Sequence, residues 1–157
     1  MAEIVAHSAA AGMVRRRGTR DFLVFILAGD LYAVGLTRIR EILSPPPITP
    51  VPRAKPAVIG VCSVRGLLVT VMDLRRRLHV EEQPLTRRAR ILLVEAQSGE
   101  VVGLMVDEVR HVARLADSEI EMATSLLGGD VSEHVIGIGR PVGDVVVLLN
   151  LSTIVSA

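Results

Sequence analysis

"VIGVCSVRGLLVTVMDLRRRL", residues 58–78, decides how this chain folds, because the chain says nearly the same thing twice. Moved so that Val58 falls on Val135, it lies without a gap on "VIGIGRPVGDVVVLLNLSTIV". Val58, Ile59, Gly60, Val69 and Leu74 meet the same residues at Val135, Ile136, Gly137, Val146 and Leu151, while Asp73 meets Asn150. Within the first copy, two Val- and Leu-rich runs flank the dipeptide Arg65-Gly66, the pattern of two strands joined by a tight turn. "DLRRRL" then reads as a helical turn, with Asp73 at its start, where the helix dipole favours a negative group.

Working outward, the rest of the chain also falls into two similar series. "FLVFILA" and "LYAVGL" around "GD" predict a hairpin, and "RILLVEA", "SGE" and "VVGLMVDEVRHVARL" predict another with a long second arm. "AVGLTRIREI" (33–42) resembles "VVGLMVDEV" (101–109) if one residue is skipped. "TRIREIL" spaces Ile39, Ile42 and Leu43 as on a short helix, with Thr37 as its cap. "SPPPITPVPRAKP" is neither helix nor central strand, since its prolines lack ladder donors; it predicts an extended crossing segment. "ADSEIEMATSLLGGDVSEH" is read as a short helical or irregular crossing. Each series has four or five short strands, too few to bury both faces of an open sheet, whereas two small closed barrels remove the edges. The expected organisation is therefore a loose tail over 1–20 and a mainly β domain over 21–157. That domain has two packed, interleaved barrel lobes, roughly 21–85 and 86–157, with short helices.

Composition narrows the function. Half of the 157 residues are apolar, and 18 Lys and Arg nearly balance 17 Asp and Glu, which removes the broad basic field of a nucleic-acid binder. Phe22, Phe25 and Tyr32 are the aromatic residues, so platforms for stacked bases are scarce. A single cysteine, Cys62, excludes an internal disulfide and a multi-cysteine zinc site within one chain, and its apolar surroundings predict a buried core residue. The N-terminus places its charges after its apolar part, unlike a signal peptide, and no run reaches the ~18 apolar residues of a membrane span. A cytoplasmic protein without membrane insertion is expected.

A search for catalytic groups finds little to assemble. His7, His79, His111 and His134 are scattered, and no G-x-S-x-G or G-x-G-x-x-G pattern occurs. Asp107-Glu108 would point to opposite faces of a strand, so they form no dyad and are read as solvated. The short arginine runs at 15–17, 75–77 and 87–90 are read as solvated faces. Arg65 and Glu41 remain. A guanidinium grips a carboxylate well, but an exposed pair adds little to stability, so if the two pair, a role in shaping a recognition surface suits them better; taken alone, these residues read more simply as two unrelated surface charges.

Residues 21–157 resemble the CheW family of chemotaxis coupling proteins. The resemblance rests on "GDLYAVGLTRIREIL", "ITPVPRAKPAVIGVCSVRGLLVTVMDL", "VVGLMVDEVRHV" and "VIGIGRPVGDVVVLLNL", which carry in order an E-I piece, a proline-rich segment running into I-G, an R-G turn and a D-L piece, as that family does. It implies two SH3-like five-stranded β-barrels. It also implies a non-catalytic adaptor, without cofactor, that links chemoreceptor cytoplasmic tips to the regulatory domain of a CheA-like histidine kinase and is recruited to receptor arrays. By the same resemblance Glu41, Arg65 and Gly66, with Ile39 and Ile42 lining an apolar groove, would meet the receptor. Val101, Val102, Gly103 and Leu104 are expected near the kinase contact. Thr70, Cys62-Ser63 and Asn150 depart from the usual family residues. They leave open a divergent adaptor that has lost one partner and serves another complex, such as one for surface motility.

Overall fold

The computed structural model describes residues 18–122 and 133–156. Strands β1 (Thr19–Leu27) and β2 (Asp30–Gly35) form the first hairpin. Its turn falls on Ala28-Gly29, both at positive φ, one residue ahead of the expected "GD". A 3-10 turn at Leu36–Arg38 leads into β3 (Ile39–Leu43), followed by β4 (Val58–Val64), β5 (Leu67–Asp73) and helix α1 (Leu74–Arg77). The second series comprises β6 (Arg90–Glu95), β7 (Val101–Val106), β8 (Glu108–Ala116), β9 (Glu121–Met122), β10 (Val135–Gly139), β11 (Val146–Leu149) and helix α2 (Leu151–Val155). The proline-rich crossing is extended as expected: Thr49 and Val61 exchange backbone hydrogen bonds of 2.8 and 2.9 Å. The crossing after β8 opens with a 3-10 turn at Asp117–Glu119, and its central part lies outside the described residues.

These strands form two sheets, ordered β8-β1-β2-β11-β10-β9 and β3-β6-β7-β5-β4. One lobe therefore has six strands instead of the expected five, the sixth being the very short β9. A larger correction concerns the boundary near 85/86, which separates the two repeats but not the two lobes. The chain leaves the first sheet after β2, builds the whole second sheet, and returns at Asp107. Each lobe thus joins the first hairpin of one repeat to the last strand pair of the other. The joins are parallel in both, β5 on β7 through Thr70↔Val102 and β11 on β2 through Val147↔Tyr32.

Burial follows from this exchange. Alternate residues of each sheet point into the lobe's own core, Phe22, Val24, Ala33, Leu115 and Leu148 in one and Cys62, Val71, Ile91, Leu93 and Met105 in the other. The opposite alternates, among them Leu23, Phe25, Leu92, Val94, Leu104 and Leu149, form a third core shared between the lobes. Strands covered on both faces read as continuous apolar runs, which explains "FLVF", "ILLV" and "VVLL".

The duplication extends to individual hydrogen bonds. Asp73 N donates to Ala57 O, and at the equivalent place in the second copy Asn150 N donates to His134 O, both at 2.8 Å. Each side chain then caps its short helix, Asp73 by accepting from Arg75 N and Asn150 from Ser152 N. The pairing register shifts after Val58 in one copy and after Val135 in the other.

"TRIREIL" is not a helix. Ile39 and Glu41 oppose the neighbouring residues Val94 and Leu93, so Arg40 is the extra residue of a β-bulge. That extra residue turns the strand's period of two into a spacing of three, bringing Ile39 and Ile42 to one buried face, as a helix would. The long arm expected after "SGE" also breaks, at Asp107, where the chain changes sheets.

Candidate functional site

Glu41 stands on β3, on the far side of the bulge from the core. Arg65 occupies the first position of the β4–β5 turn, where Val64↔Leu67 closes the hairpin and Arg65 and Gly66 have φ of 49° and 81°. Positive φ at both positions defines the mirror-image turn that matches strand twist; glycine accepts it freely, whereas arginine is strained there. The strained conformation holds the guanidinium beside Glu41: Arg65 Nη2 donates to Glu41 Oε2 at 2.5 Å. The hydrogen bond from Arg65 holds the Glu41 carboxyl below the usual carboxylate range, against a smaller opposing effect of burial. Arg65 remains 70% exposed and Glu41 23%.

This pair forms one wall of a groove shared with Arg40, Glu100, Val101 and the leucines that follow the turn. Leu67 and Leu68 are 71% and 78% exposed, among the most exposed large apolar side chains described. Neither is among the site residues expected from the sequence. Their signal was the doubled leucine directly after Gly66, where a strand with one wet face should alternate.

The other expected site residues divide. Ile39 and Ile42 lie in the shared core at 4% and 3% exposure, so they support β3 from beneath and line no groove. Val102 and Leu104 are likewise core residues, and Gly103 faces Ile91, Val69 and Val71 with no room for a methyl group. Of the 101–104 segment only Val101 reaches a surface, and that surface is the Glu41–Arg65 groove.

Among the described residues, the second lobe has no ion pair at the equivalent positions. Pairing places Ile39 opposite Val94 and Glu41 opposite Leu93 in one lobe; Val109 opposite Phe25 and His111 opposite Val24 occupy the same positions in the other. His111 thus corresponds to Glu41, and Val142, at the equivalent place in the second copy, corresponds to Arg65.

Asp107 is not the solvated residue its sequence context predicts. Its Oδ2 accepts from Ala28 N at 2.8 Å, and its Oδ1 lies 3.2 Å from Arg75 Nη1, close enough for ion pairing but off the hydrogen-bond direction. Arg75 and Asp73, both buried, complete this cluster. The "RRR" run accordingly mixes one buried arginine with two more accessible ones. Cys62 is buried as expected, and burial pushes its thiol up. Among the described residues no group of three or more His, Cys, Asp or Glu could hold a metal ion, and no helix is long and apolar enough to cross a membrane.

Two exchanged β-lobes with an exposed ion pair beside exposed leucines define a docking module. Residues 21–157 match the family model described as the CheW-like domain, and the chain belongs to that family. It is 37% identical over 101 residues to the chemotaxis protein CheW of Bacillus subtilis, a match covering 64% of each chain. The match to protein FrzA of Myxococcus xanthus is 30% identical over 139 residues, covering 87% of this chain and 85% of that one. The scaffolding protein TtCheW from Thermoanaerobacter tengcongensis has a similar solved structure: TM-score 0.79 at 25% identity, covering 88% of this chain and 93% of that one. The fold is accordingly the two-lobed, SH3-like architecture of that family.

Proposed function

We propose that this chain is a non-catalytic coupling protein that bridges a chemoreceptor cytoplasmic tip and the regulatory domain of a CheA-like histidine kinase. The observation that carries the reading is the Arg65–Glu41 pair set beside Leu67 and Leu68 in a chain that matches the CheW-like domain throughout 21–157. An exposed ion pair adds little to folding, and exposed leucines oppose solubility; both suit a surface that another protein covers. The receptor tip docks against Glu41, Arg65 and Gly66, with Val101 at the margin of the same groove. The protein works in the cytoplasm, at the receptor array.

A bridge acts by stoichiometry. Kinase activity measured with receptor and kinase held constant should rise with added adaptor and then fall, because excess adaptor separates the two partners. A saturating curve with no fall would refute bridging. A second reading, an adaptor of the same fold serving another signalling complex, draws on the likeness to FrzA over most of both chains. Failure to bind a kinase regulatory domain, with receptor binding retained, would favour it.

A further inference from the structure

The chain passes between the lobes at two equivalent places, and they are built differently. At the β7–β8 crossing the carboxylate of Asp107 takes a hydrogen bond from Ala28 N in one lobe and an ion contact from Arg75 in the other. Asp107 N also donates to Ile26 O. Arg75 is itself held by both oxygens of Asp73, at 3.2 and 3.0 Å, and reaches Gln83 O. This is a charged network, buried at Asp73 and Arg75 and part-buried at Asp107, and its hydrogen bonds to charged groups, Arg75 to Asp73 and Ala28 N to Asp107, are of the strong kind.

At the β2–β3 crossing, Leu36–Arg38, the counterparts are neutral. In the second copy of the repeat Asn150 stands for Asp73 and Ser152 for Arg75. At the crossing itself the link is one hydrogen bond of 3.1 Å from Arg38 Nη1 to Ser152 Oγ, plus a long one of 3.5 Å to Glu95 O; away from the crossing, Arg77 of the other lobe donates to Thr153 O and Ile154 O on the same helix. Two surface clefts meet at Thr37 and Arg38, so that side is also incompletely packed.

We propose that Asp107 is the fixed pivot between the lobes and that the Leu36–Arg38 crossing is the hinge. Motion about this pivot opens or closes the clefts at Thr37 and Arg38 and carries β3, with Glu41, relative to the other lobe. The device is internal to the chain and does not depend on which partner docks.

Paired spin labels test it on the whole chain, with Cys62→Ala as background. One pair, at Gln97 and Ser118, spans the hinge side, since Gln97 lines one cleft there and Ser118 follows Asp117, the partner of Arg20 in the other cleft; the other, at Asp30 and Arg87, spans the pivot side. The hinge pair should give the broader distance distribution in the otherwise unaltered chain. Asp107→Asn should broaden the pivot pair, while Arg38→Ala should leave it narrow. Equal widths in the unaltered chain would overturn the proposal without any core variant being needed. So would an Asp107→Asn chain, folded by circular dichroism, whose pivot pair stays narrow.

Discussion

Glu41 and His111 hold the same position in the two lobes, each one residue beyond a bulged arginine, but only Glu41 has a cation to receive. The repeat has kept the scaffold and diverged at the tip, where Arg65 in one lobe answers to Val142 in the other. The two lobes thus differ most plainly in exposed side chains that the fold does not need.

Substitutions at these two positions should therefore part company. Arg65→Ala and Glu41→Lys are expected to weaken receptor-tip binding with little change in the thermal midpoint, and His111→Lys to leave that binding unchanged. Arg65→Asn is the sharper variant. Asparagine accepts positive φ more readily than arginine, so the hairpin should hold or gain stability while docking is lost. Calorimetry on the variant, alongside a binding titration, would contradict the account if binding and stability fell together.

The glycines of the two bulges should behave alike. A methyl group on Gly60 would collide with the carbonyl oxygen of Thr49, and one on Gly137 with that of Glu121. Neither oxygen can yield easily, since each belongs to backbone paired with that strand. Gly60→Ala and Gly137→Ala should each cost about 1–3 kcal/mol, as overpacked sites do, and should add, because they lie in different lobes. Urea midpoints for the two single variants and the double would check both statements.

Much of this was legible in the sequence and some was not, for reasons that can be named. Continuous apolar runs announced the strands, and the echo of 58–78 in the C-terminal stretch announced the duplication. Nothing in an echo says which copy a strand pairs with, so the exchange of hairpins between repeats stayed hidden. The bulge at Arg40 made Ile39 and Ile42 look helical and left Glu41 on the wrong kind of element. The 33–42 and 101–109 likeness starts out of register between the repeats: Ala33 pairs with Leu148 as Gly103 does with Val71, so Ala33 answers to Gly103 and not to Val101. Asp107 was misread because burial of a carboxylate depends on a partner distant in the sequence, Arg75, that no local pattern reveals.

Stability should also fall on mild acidification. His134 sits against Thr153, whose hydroxyl donates to a backbone carbonyl, so His134 Nδ1–H donates to Thr153 Oγ1 at 2.8 Å. Burial, and then the nearby Arg77 charge, lower its pKa from the ordinary 6.5. Below 6.5 the unfolded chain takes up a proton that the folded chain refuses. Stability is thus lost as pH falls from 6.5 toward the lower folded value, and is level with respect to this group above 6.5. Denaturant midpoints across that window should show the slope in the native chain and lose it in His134→Gln.

As a bridge, this one small chain must hold two partners at once. Sedimentation of the purified protein with a receptor-tip fragment and a kinase regulatory domain tests it most directly. The account predicts a single boundary containing all three, reduced to adaptor and kinase alone when Arg65→Ala replaces the native chain. Mutually exclusive binding of the two partners, or a ternary boundary indifferent to Arg65, would contradict it.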